Sequence, residues 1–187
     1  MQGNERQPRG LRVRLGRPDD PASLAECDYA FRVTSEALGP FDGRGVTHRT
    51  IDVAPYTKTY GFDDQALLGF LGSDDRRLFV IADEDDAPLG YAAASAAWNN
   101  FVSLDDLAVD ATHRRTGAGR MLMDAIVAWA RQRQAVGIRL ETQTNNISAC
   151  RFYERYGFVL GGFDRYLYAG GKHRSEVALY WYLIFDQ

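Results

Sequence analysis

The stretch HRRTGAGRMLMDAIVAWA, residues 113–130, places a basic cluster and two glycines directly before a strongly patterned segment. Apolar residues recur from Met121 to Ala130 at intervals of about four, which is the spacing of one packed helix face. Glycine allows a tight turn and a close approach of a ligand to the backbone, so this helix start is a candidate anion site. The neighbouring arginines supply charge for a phosphate. The alternative interpretation is a plain surface turn.

Two common phosphate-binding patterns are absent from this turn. The pattern GxxxxGK[ST] does not occur, and Leu122 stands where the pattern GxGxxG requires its third glycine. What remains is Arg114-x-x-Gly117-x-Gly119, which follows the segment LAVD at residues 107–110. A nucleotide-binding enzyme built on this turn is therefore disfavoured.

The segments around the turn alternate between strand and helix patterns, with an acidic hairpin loop at 83–88. Gly137 and Gly157 are the expected ends of the third and fourth helices. Helices are predicted over 18–33, 63–73, 118–134 and 146–156. Strands are predicted over 11–15, 46–56, 76–82, 89–98, 101–110, 138–144, 158–168 and 177–185. This order predicts a mixed α/β domain over residues 11–187, after a flexible tail at 1–10.

Composition excludes several classes of protein. The formal net charge of −3 argues against a nucleic-acid binder, which usually carries a basic stripe. No apolar run reaches the length of a membrane span. Two cysteines, Cys27 and Cys150, cannot form a disulfide framework, and together with the lack of a signal-peptide pattern they predict a cytoplasmic protein. The three scattered histidines do not predict a metal site.

The unit around the glycine turn resembles the acetyl-CoA motif of the GNAT N-acetyltransferase superfamily. The resemblance rests on RxxGxG at 114–119, placed after a strand that ends in LAVD and before an amphipathic helix. A second stretch, LETQTNNISACRFYERYGF at 140–158, resembles the next strand and helix of that family. Two motifs in the right order are more specific than either one alone.

The resemblance implies an α/β fold of the GNAT type. Its sheet would be mixed, mostly antiparallel and twisted, with about seven strands and about four helices. A V-shaped gap would separate the strands at 102–110 and 137–143. The resemblance covers roughly residues 76–185, and the first 75 residues carry little of it.

Three segments are similar to the streptothricin acetyltransferase branch: WNNFVSLDDLAVD at 98–110, LETQTNNISACRFYERYGFVLGGFD at 140–164 and ALYWYLIF at 178–185. That branch acetylates an amine of the β-lysine part of a cationic antibiotic. The implied function is acetyl-CoA-dependent transfer of acetyl to a primary amine of a small cationic acceptor, and hence antibiotic resistance. The alternatives are a protein N-terminus, a lysine or a polyamine as acceptor, or an acetyl-CoA-binding module without turnover. The aromatic C-terminal strands also suggest a homodimer.

The resemblance also implies which residues would bind acetyl-CoA. Leu107 and Val109 would present backbone groups to the thioester and the pantetheine arm, and Asn146 would bind the pantetheine amides or simply cap a helix. Arg114 would either contact phosphate or pack structurally. The pyrophosphate would be cradled by the backbone amides of Arg115, Thr116, Gly117, Ala118, Gly119 and Arg120.

Catalysis needs a group that accepts the amine proton and one that protonates the thiolate. Asp105 and Asp106 are the nearest carboxylates, and they point to opposite faces of their strand. Asp105 is favoured because the streptothricin branch carries an acidic residue there, and Glu141 is a third candidate. Tyr153 is the implied acid toward the sulfur, although a tyrosine on this helix would also suit the core.

Overall fold

A computed structural model describes residues 10–41, 46, 49–171 and 173–186. The strands are β1 Arg12–Leu15, β2 Phe31–Ala37, β3 Thr50–Lys58, β4 Arg76–Ala82, β5 Pro88–Ala96, β6 Phe101–Val109, β7 Gly137–Gln143, β8 Val159–Asp164 and β9 Ala178–Ile184. The α-helices are α1 Asp20–Leu24, α2 Asp64–Leu68, α3 Ala118–Gln132 and α4 Ile147–Tyr156, and a 3-10 turn occupies Ala111–His113.

Seven strands form one sheet in the order β1-β4-β5-β6-β7-β9-β8, and β2 pairs with β3 in a separate two-stranded sheet. The pairs β1–β4, β4–β5, β7–β9 and β8–β9 are antiparallel. By its contacts the chain forms two compact units. The first comprises Met1–Tyr29, Tyr60–Ala96 and Leu104–Arg133, and the second comprises Ala30–Thr59, Ala97–Ser103 and Gln134–Gln187.

The first unit is held together by apolar residues on the faces of β4 and β5. Leu78 and Val80 of β4 pack with Tyr91 of β5 in a buried cluster that also contains Leu24 of α1 and Leu67 of α2. The long helix α3 packs on the same two strands. Its buried residues fall on one stripe, as the sequence pattern predicts: Leu122, Met123, Ile126, Trp129 and Ala130.

The second unit has its core on β7 and β9. Trp181 of β9 is fully buried, and its indole N–H donates to Thr142 Oγ1 of β7 at 2.9 Å. That bond satisfies the polar atom of the largest buried side chain, which would otherwise be costly to bury. Gly137 begins β7 where a Cβ would meet Leu183 O at 2.2 Å, so this position accepts only glycine without a shift of the backbone.

Most of the predicted elements are confirmed. The acidic hairpin between β4 and β5, the helix α4 ended by the left-handed Gly157, and the C-terminal strand β9 lie where the sequence places them. The predicted short helix at 63–73 is α2, and Asp63 caps it by accepting from the Ala66 amide at 3.0 Å. The described helices and the seven-stranded sheet agree with the expected GNAT fold.

Three local predictions are wrong. The first helix ends at Leu24 instead of reaching Val33, because residues 31–37 alternate between inward and outward side chains and form β2. Gly137 does not end α3, which stops at Gln132. The sequence also predicts that the strand at 101–110 enters the glycine turn directly, which is wrong because the 3-10 turn Ala111–His113 intervenes.

The expected N-terminal tail and the expected gap in the sheet are not tested by the described residues. Residues 1–9 of the expected tail lie outside the described residues, and the V-shaped gap stays a prediction. Within the described part of the chain, no helix is long and apolar enough to cross a membrane.

Candidate functional site

The glycine turn has an unusual backbone. Arg115 has φ = 64° and Gly117 has φ = 96°, so two residues of one short turn adopt the left-handed region. That region is uncommon for arginine and costs about 1–2 kcal/mol for an L-residue. Successive backbone N–H groups in a turn of this kind can form an anion-binding concavity.

The helix that follows the turn adds further N–H donors. Gly117 is the N-cap of α3 and has no side-chain oxygen to offer, and the first intrahelical bond runs from Met121 N to Gly117 O at 3.0 Å. The first N–H groups of an α-helix have no carbonyl one turn earlier in the same helix, which makes a helix start a favourable place for an anion. These donors, at the positive end of a 15-residue helix, suit the pyrophosphate that the sequence predicts.

Arg114 contacts the backbone of its own surroundings. Its Nε donates to Val109 O at 3.0 Å and its Nη2 donates to Asp28 O at 3.3 Å. These bonds tie the turn to the end of β6 and to the segment after α1. Of the two roles that the sequence left open for Arg114, structural packing is observed, and phosphate contact stays a prediction.

Asp110 fixes the 3-10 turn from the other side. Its carboxylate accepts from the Thr112 amide and from the Asp28 amide, each at 2.9 Å. The hydrogen bond with the Thr112 side chain, followed by these amide bonds, lowers the pKa of Asp110 to about 2. The turn is therefore braced by a carboxylate that stays ionised.

The other predicted members of the turn differ in their exposure to solvent. Arg115, Thr116 and Gly117 are exposed, whereas Ala118 is buried and packs into the unit. Gly119 is partly buried, and the exposed Arg120 lies 4.0 Å from Asp124 across one helical turn. A ligand here would meet backbone amides first and arginine side chains at the rim.

Leu107 and Val109 place their backbone at the end of β6, next to β5. Gly90 of β5 allows this closeness, because a Cβ there would lie 2.5 Å from Ala108 O and 2.9 Å from Val109 Cα. Leu107 is half-buried and Val109 is 9% exposed. The side chains thus serve packing, and a role of their backbone groups toward a thioester stays a prediction.

Asp105 and Asp106 have different surroundings. Both are reached by solvent, but Asp106 Oδ2 accepts a 2.6 Å hydrogen bond from the hydroxyl of Tyr91, which is only 3% exposed. Crowding by protein atoms raises the pKa of Asp106, and the charge of Asp105 adds to this effect. The hydrogen bonds from Tyr91 and from the Leu107 amide lower that pKa and offset part of the rise. Asp106 is thus crowded by protein atoms yet open to water, and we call the surroundings of its carboxylate and the Tyr91 hydroxyl the recess.

An aromatic trio lies behind this recess. Tyr91, Tyr29 and Phe62 have ring centroids 5.7 to 5.9 Å apart, with Tyr29 stacked on Phe62 and edge-on to Tyr91. These residues could not be found from the sequence, because they come from three separate segments. The only signal was the run of small and apolar residues around Tyr91 in β5, which indicates burial without showing a partner.

Asn146 and Tyr153 belong to the second unit. The side chain of Asn146 accepts from the Ala149 amide at 3.1 Å, so its role as the N-cap of α4 is observed. Tyr153 is 7% exposed, and its ring packs edge-on to Phe152 and Phe158 at 5.2 and 5.4 Å. Its ring therefore belongs to the core, and the roles of both residues toward acetyl-CoA stay predictions.

Glu141, the third candidate carboxylate, forms a local network on β7. Its carboxylate accepts from Gln143 Nε2 at 3.0 Å and from the Tyr168 hydroxyl. Burial raises the pKa of Glu141, and the bond from Gln143 lowers it. Within the described residues, no cluster of three or more potential ligands could hold a metal ion.

Comparisons with known proteins agree with this geometry. The acetyltransferase (GNAT) family model matches residues 47–158. The streptothricin acetyltransferase of Escherichia coli is 34% identical over 166 residues, which cover 88% of this chain and 91% of that protein.

Two crystal structures share the whole fold. One is a candidate streptothricin acetyltransferase from Bacillus anthracis in complex with acetyl coenzyme A, with a TM-score of 0.83, 31% identity and coverage of 94% of this chain and 99% of that one. The other is nourseothricin acetyltransferase, with a TM-score of 0.79, 31% identity and coverage of 95% and 99%. With the strand–turn–helix unit and the sheet described above, these matches show that the chain belongs to the GNAT acetyltransferase family.

Proposed function

We propose that this protein transfers the acetyl group of acetyl-CoA to a primary amine of a streptothricin-type antibiotic and so confers resistance to it. The observation that carries the donor half of the proposal is the left-handed turn at Arg115 and Gly117, set before the start of α3, where Gly117 makes no side-chain capping bond. The acceptor half is supported by two relatives named streptothricin acetyltransferase, each of which matches this chain over 91% of its own length.

Binding of the donor would use the backbone of the turn. The amides from Arg115 to Arg120 would hold the pyrophosphate, with the arginine side chains as additional charge. Leu107 and Val109 would offer backbone groups to the pantetheine arm and the thioester carbonyl. Acetyl-CoA supplies the activated acetyl group, and the protein would hold it in place for attack by the amine.

The acceptor amine arrives charged, because a lysine-type amine has a pKa near 10.4. A carboxylate that attracts the ammonium group and takes its proton, directly or through water, would make it nucleophilic. Asp106 fits this task better than Asp105, since it combines solvent access with a fixed hydrogen bond from Tyr91. We therefore propose Asp106 as the proton acceptor, in place of the Asp105 favoured by the sequence resemblance.

The leaving thiolate needs a proton, and Tyr153 is the proposed donor. Its place seven residues after Asn146 fits the family motif. Asn146 would also contact the pantetheine amides while it caps α4. Asp105 would then contribute negative charge beside the acceptor.

A coupled assay of thiol release tests the proposal directly. Purified protein and acetyl-CoA would be incubated with streptothricin, an aminoglycoside, spermidine, free lysine and short peptides. We expect turnover on streptothricin and, by mass spectrometry, one acetyl group on its β-lysine moiety. Turnover on another amine but not on streptothricin would contradict the acceptor, and acetyl-CoA binding without any turnover would favour a non-catalytic module.

Three further properties belong to the proposal. Residues 11–187 would act as one acetyltransferase domain, which is supported by the match to the E. coli relative along 88% of the chain. A net charge of −3 supports a small cationic partner over nucleic acid. Unpaired Cys27 and Cys150 support a reducing cytoplasm.

A homodimer would form through the outer edge of β8. This strand ends the seven-stranded sheet and exposes Val159 by 60% and Phe163 by 42%. Open edges with apolar side chains favour pairing with another strand. Light scattering after size exclusion would show a dimer in the wild type and a monomer after Val159→Lys, and a wild-type monomer would contradict this arrangement.

A further inference from the structure

We infer that Tyr91 is a positioning residue for the acetyl-transfer reaction: its hydroxyl holds the Asp106 carboxylate in place and in the ionised form. The inference rests on the proposed function, because it needs Asp106 to accept the proton of the acceptor amine. It adds to that function a residue on another strand that no sequence motif includes.

The geometry of the pair is specific. The Tyr91 hydroxyl donates to Asp106 Oδ2 at 2.6 Å, which is the short distance expected of a hydrogen bond to a charged oxygen. Asp106 stands on β6 and Tyr91 on β5, which are neighbours in the sheet. One carboxylate oxygen is thus fixed by Tyr91, and the open side of the recess remains accessible to water and to an amine.

Tyr91 is itself firmly held. It is 3% exposed and belongs to the buried cluster with Leu78, Val80 and Leu24. Its strand is in register with β4, where Tyr91 lies opposite Val80. Its ring also makes T-shaped contacts with the rings of Tyr29 and Phe62. A hydroxyl on such a rigid ring is a preorganised donor, because its position does not have to be ordered during the reaction.

Two titratable groups shift the pKa of Asp106, and they act in opposite directions. Asp105, on the same strand, raises its pKa, and the hydrogen bond from Tyr91 lowers it. Tyr29 and Tyr91 both have pKa values raised by burial, so both hydroxyls stay neutral through the acid and neutral range. The hydrogen bond from Tyr91, on the neighbouring strand, therefore opposes the rise in the pKa of Asp106 that crowding causes.

Removal of the Tyr91 hydroxyl should shift the acid limb of the pH profile of kcat/KM. In Tyr91→Phe the crowding remains and the hydrogen bond is lost, so the pKa of Asp106 rises. A hydrogen bond to a charged group corresponds to about one to two pKa units. We expect the acid limb of kcat/KM against pH to move up by about one to two pH units, while the KM for acetyl-CoA stays at the wild-type value.

Tyr29→Phe is the matched control. Its hydroxyl donates to Leu24 O at 3.0 Å, so its loss should leave the pH limb in place while affecting the same aromatic trio. Asp106→Asn is measured beside both variants. If Asp106→Asn keeps wild-type kcat/KM, the proposed proton acceptor is wrong. If Asp106→Asn loses activity but Tyr91→Phe keeps the wild-type limb, only the positioning role is wrong.

A measurement on the wild type covers the case in which Tyr91→Phe does not fold. The ring carbon that bears the Tyr91 hydroxyl can be followed by carbon NMR through the acid limb, with Tyr29 as internal comparison. We expect the Tyr91 signal to shift with the midpoint of the kinetic limb, because protonation of Asp106 changes its hydrogen bond. A Tyr91 signal that is flat through this midpoint would overturn the inference.

Discussion

Two regions of the first unit differ in the groups that they offer to a ligand: one offers backbone N–H donors, and the other offers a negatively charged side chain. The turn from Arg114 to Arg120 offers backbone amides, and its conformation depends on two left-handed residues and on bonds to backbone carbonyls. The recess at Asp106 offers a carboxylate, and its geometry depends on the Tyr91 side chain.

This difference predicts how each region responds to substitution. A site built from backbone amides tolerates the loss of a side chain but not a change of backbone conformation. A site built from one carboxylate and one hydroxyl responds to the loss of single atoms. The proposed roles therefore separate: the turn should govern acetyl-CoA, and the recess should govern the amine.

The largest effect is expected from Asp106→Asn. Loss of a proton acceptor typically costs 10²- to 10⁴-fold in rate, so kcat/KM for the amine should fall by about that factor. Asp105→Asn is the control on the same strand, and its effect should be several-fold at most. An equal loss in both variants would contradict a specific role for Asp106 and would show that the two carboxylates act only by attracting the cationic acceptor.

Tyr153→Phe tests a residue outside both regions. Thiols have a pKa near 8.5 and leave more easily than amines, so we expect a loss of about 10- to 100-fold in kcat, near the low end for general acids. The acetyl-CoA affinity should not change. Tyr156→Phe on the same helix is the control, and unchanged kcat in Tyr153→Phe would remove the proposed acid.

Gly117→Ala should affect the donor alone. At φ = 96° an alanine is strained by about 1–2 kcal/mol, which corresponds to about a 5- to 30-fold rise in the KM for acetyl-CoA. Gly72→Ala, at φ = 68° with open space around its Cβ, carries similar strain in the segment between α2 and β4. Equal kinetic loss in both variants would indicate general destabilisation instead of a binding effect.

Arg114 and Arg115 should separate stability from charge. Arg114→Ala removes two bonds to backbone carbonyls, so Tm should fall by about 2–12 °C if each bond contributes about 0.5–1.5 kcal/mol. Arg115→Ala should leave Tm unchanged and raise the KM for acetyl-CoA a few-fold, an effect that salt weakens because the side chain is exposed. The reverse pattern would mean that Arg114 is the phosphate ligand.

The turn could be predicted from the sequence because it is local. Gly117, Gly119 and the stripe from Met121 to Ala130 lie within fourteen residues, so their spacing alone indicates a strand–turn–helix unit. The same holds for α4, whose N-cap Asn146 and terminal Gly157 both follow from local helix chemistry.

The recess could not be predicted, because it depends on contacts between distant segments. Tyr91 and Asp106 are brought together by neighbouring strands, and Tyr29 and Phe62 arrive from two further segments. Strand alternation predicted that Asp105 and Asp106 face opposite ways but did not predict which of them meets a partner. For the same reason the first helix was predicted to continue into residues that form β2.

The most direct test varies both substrates in wild type, Asp106→Asn and Gly117→Ala, with streptothricin as acceptor. We predict that Asp106→Asn lowers kcat/KM for streptothricin and leaves the KM for acetyl-CoA unchanged, whereas Gly117→Ala raises the KM for acetyl-CoA and leaves kcat/KM for streptothricin at saturating acetyl-CoA unchanged. If both variants change the same parameter, or if Asp106→Asn is as active as the wild type, the division between donor turn and acceptor recess is wrong.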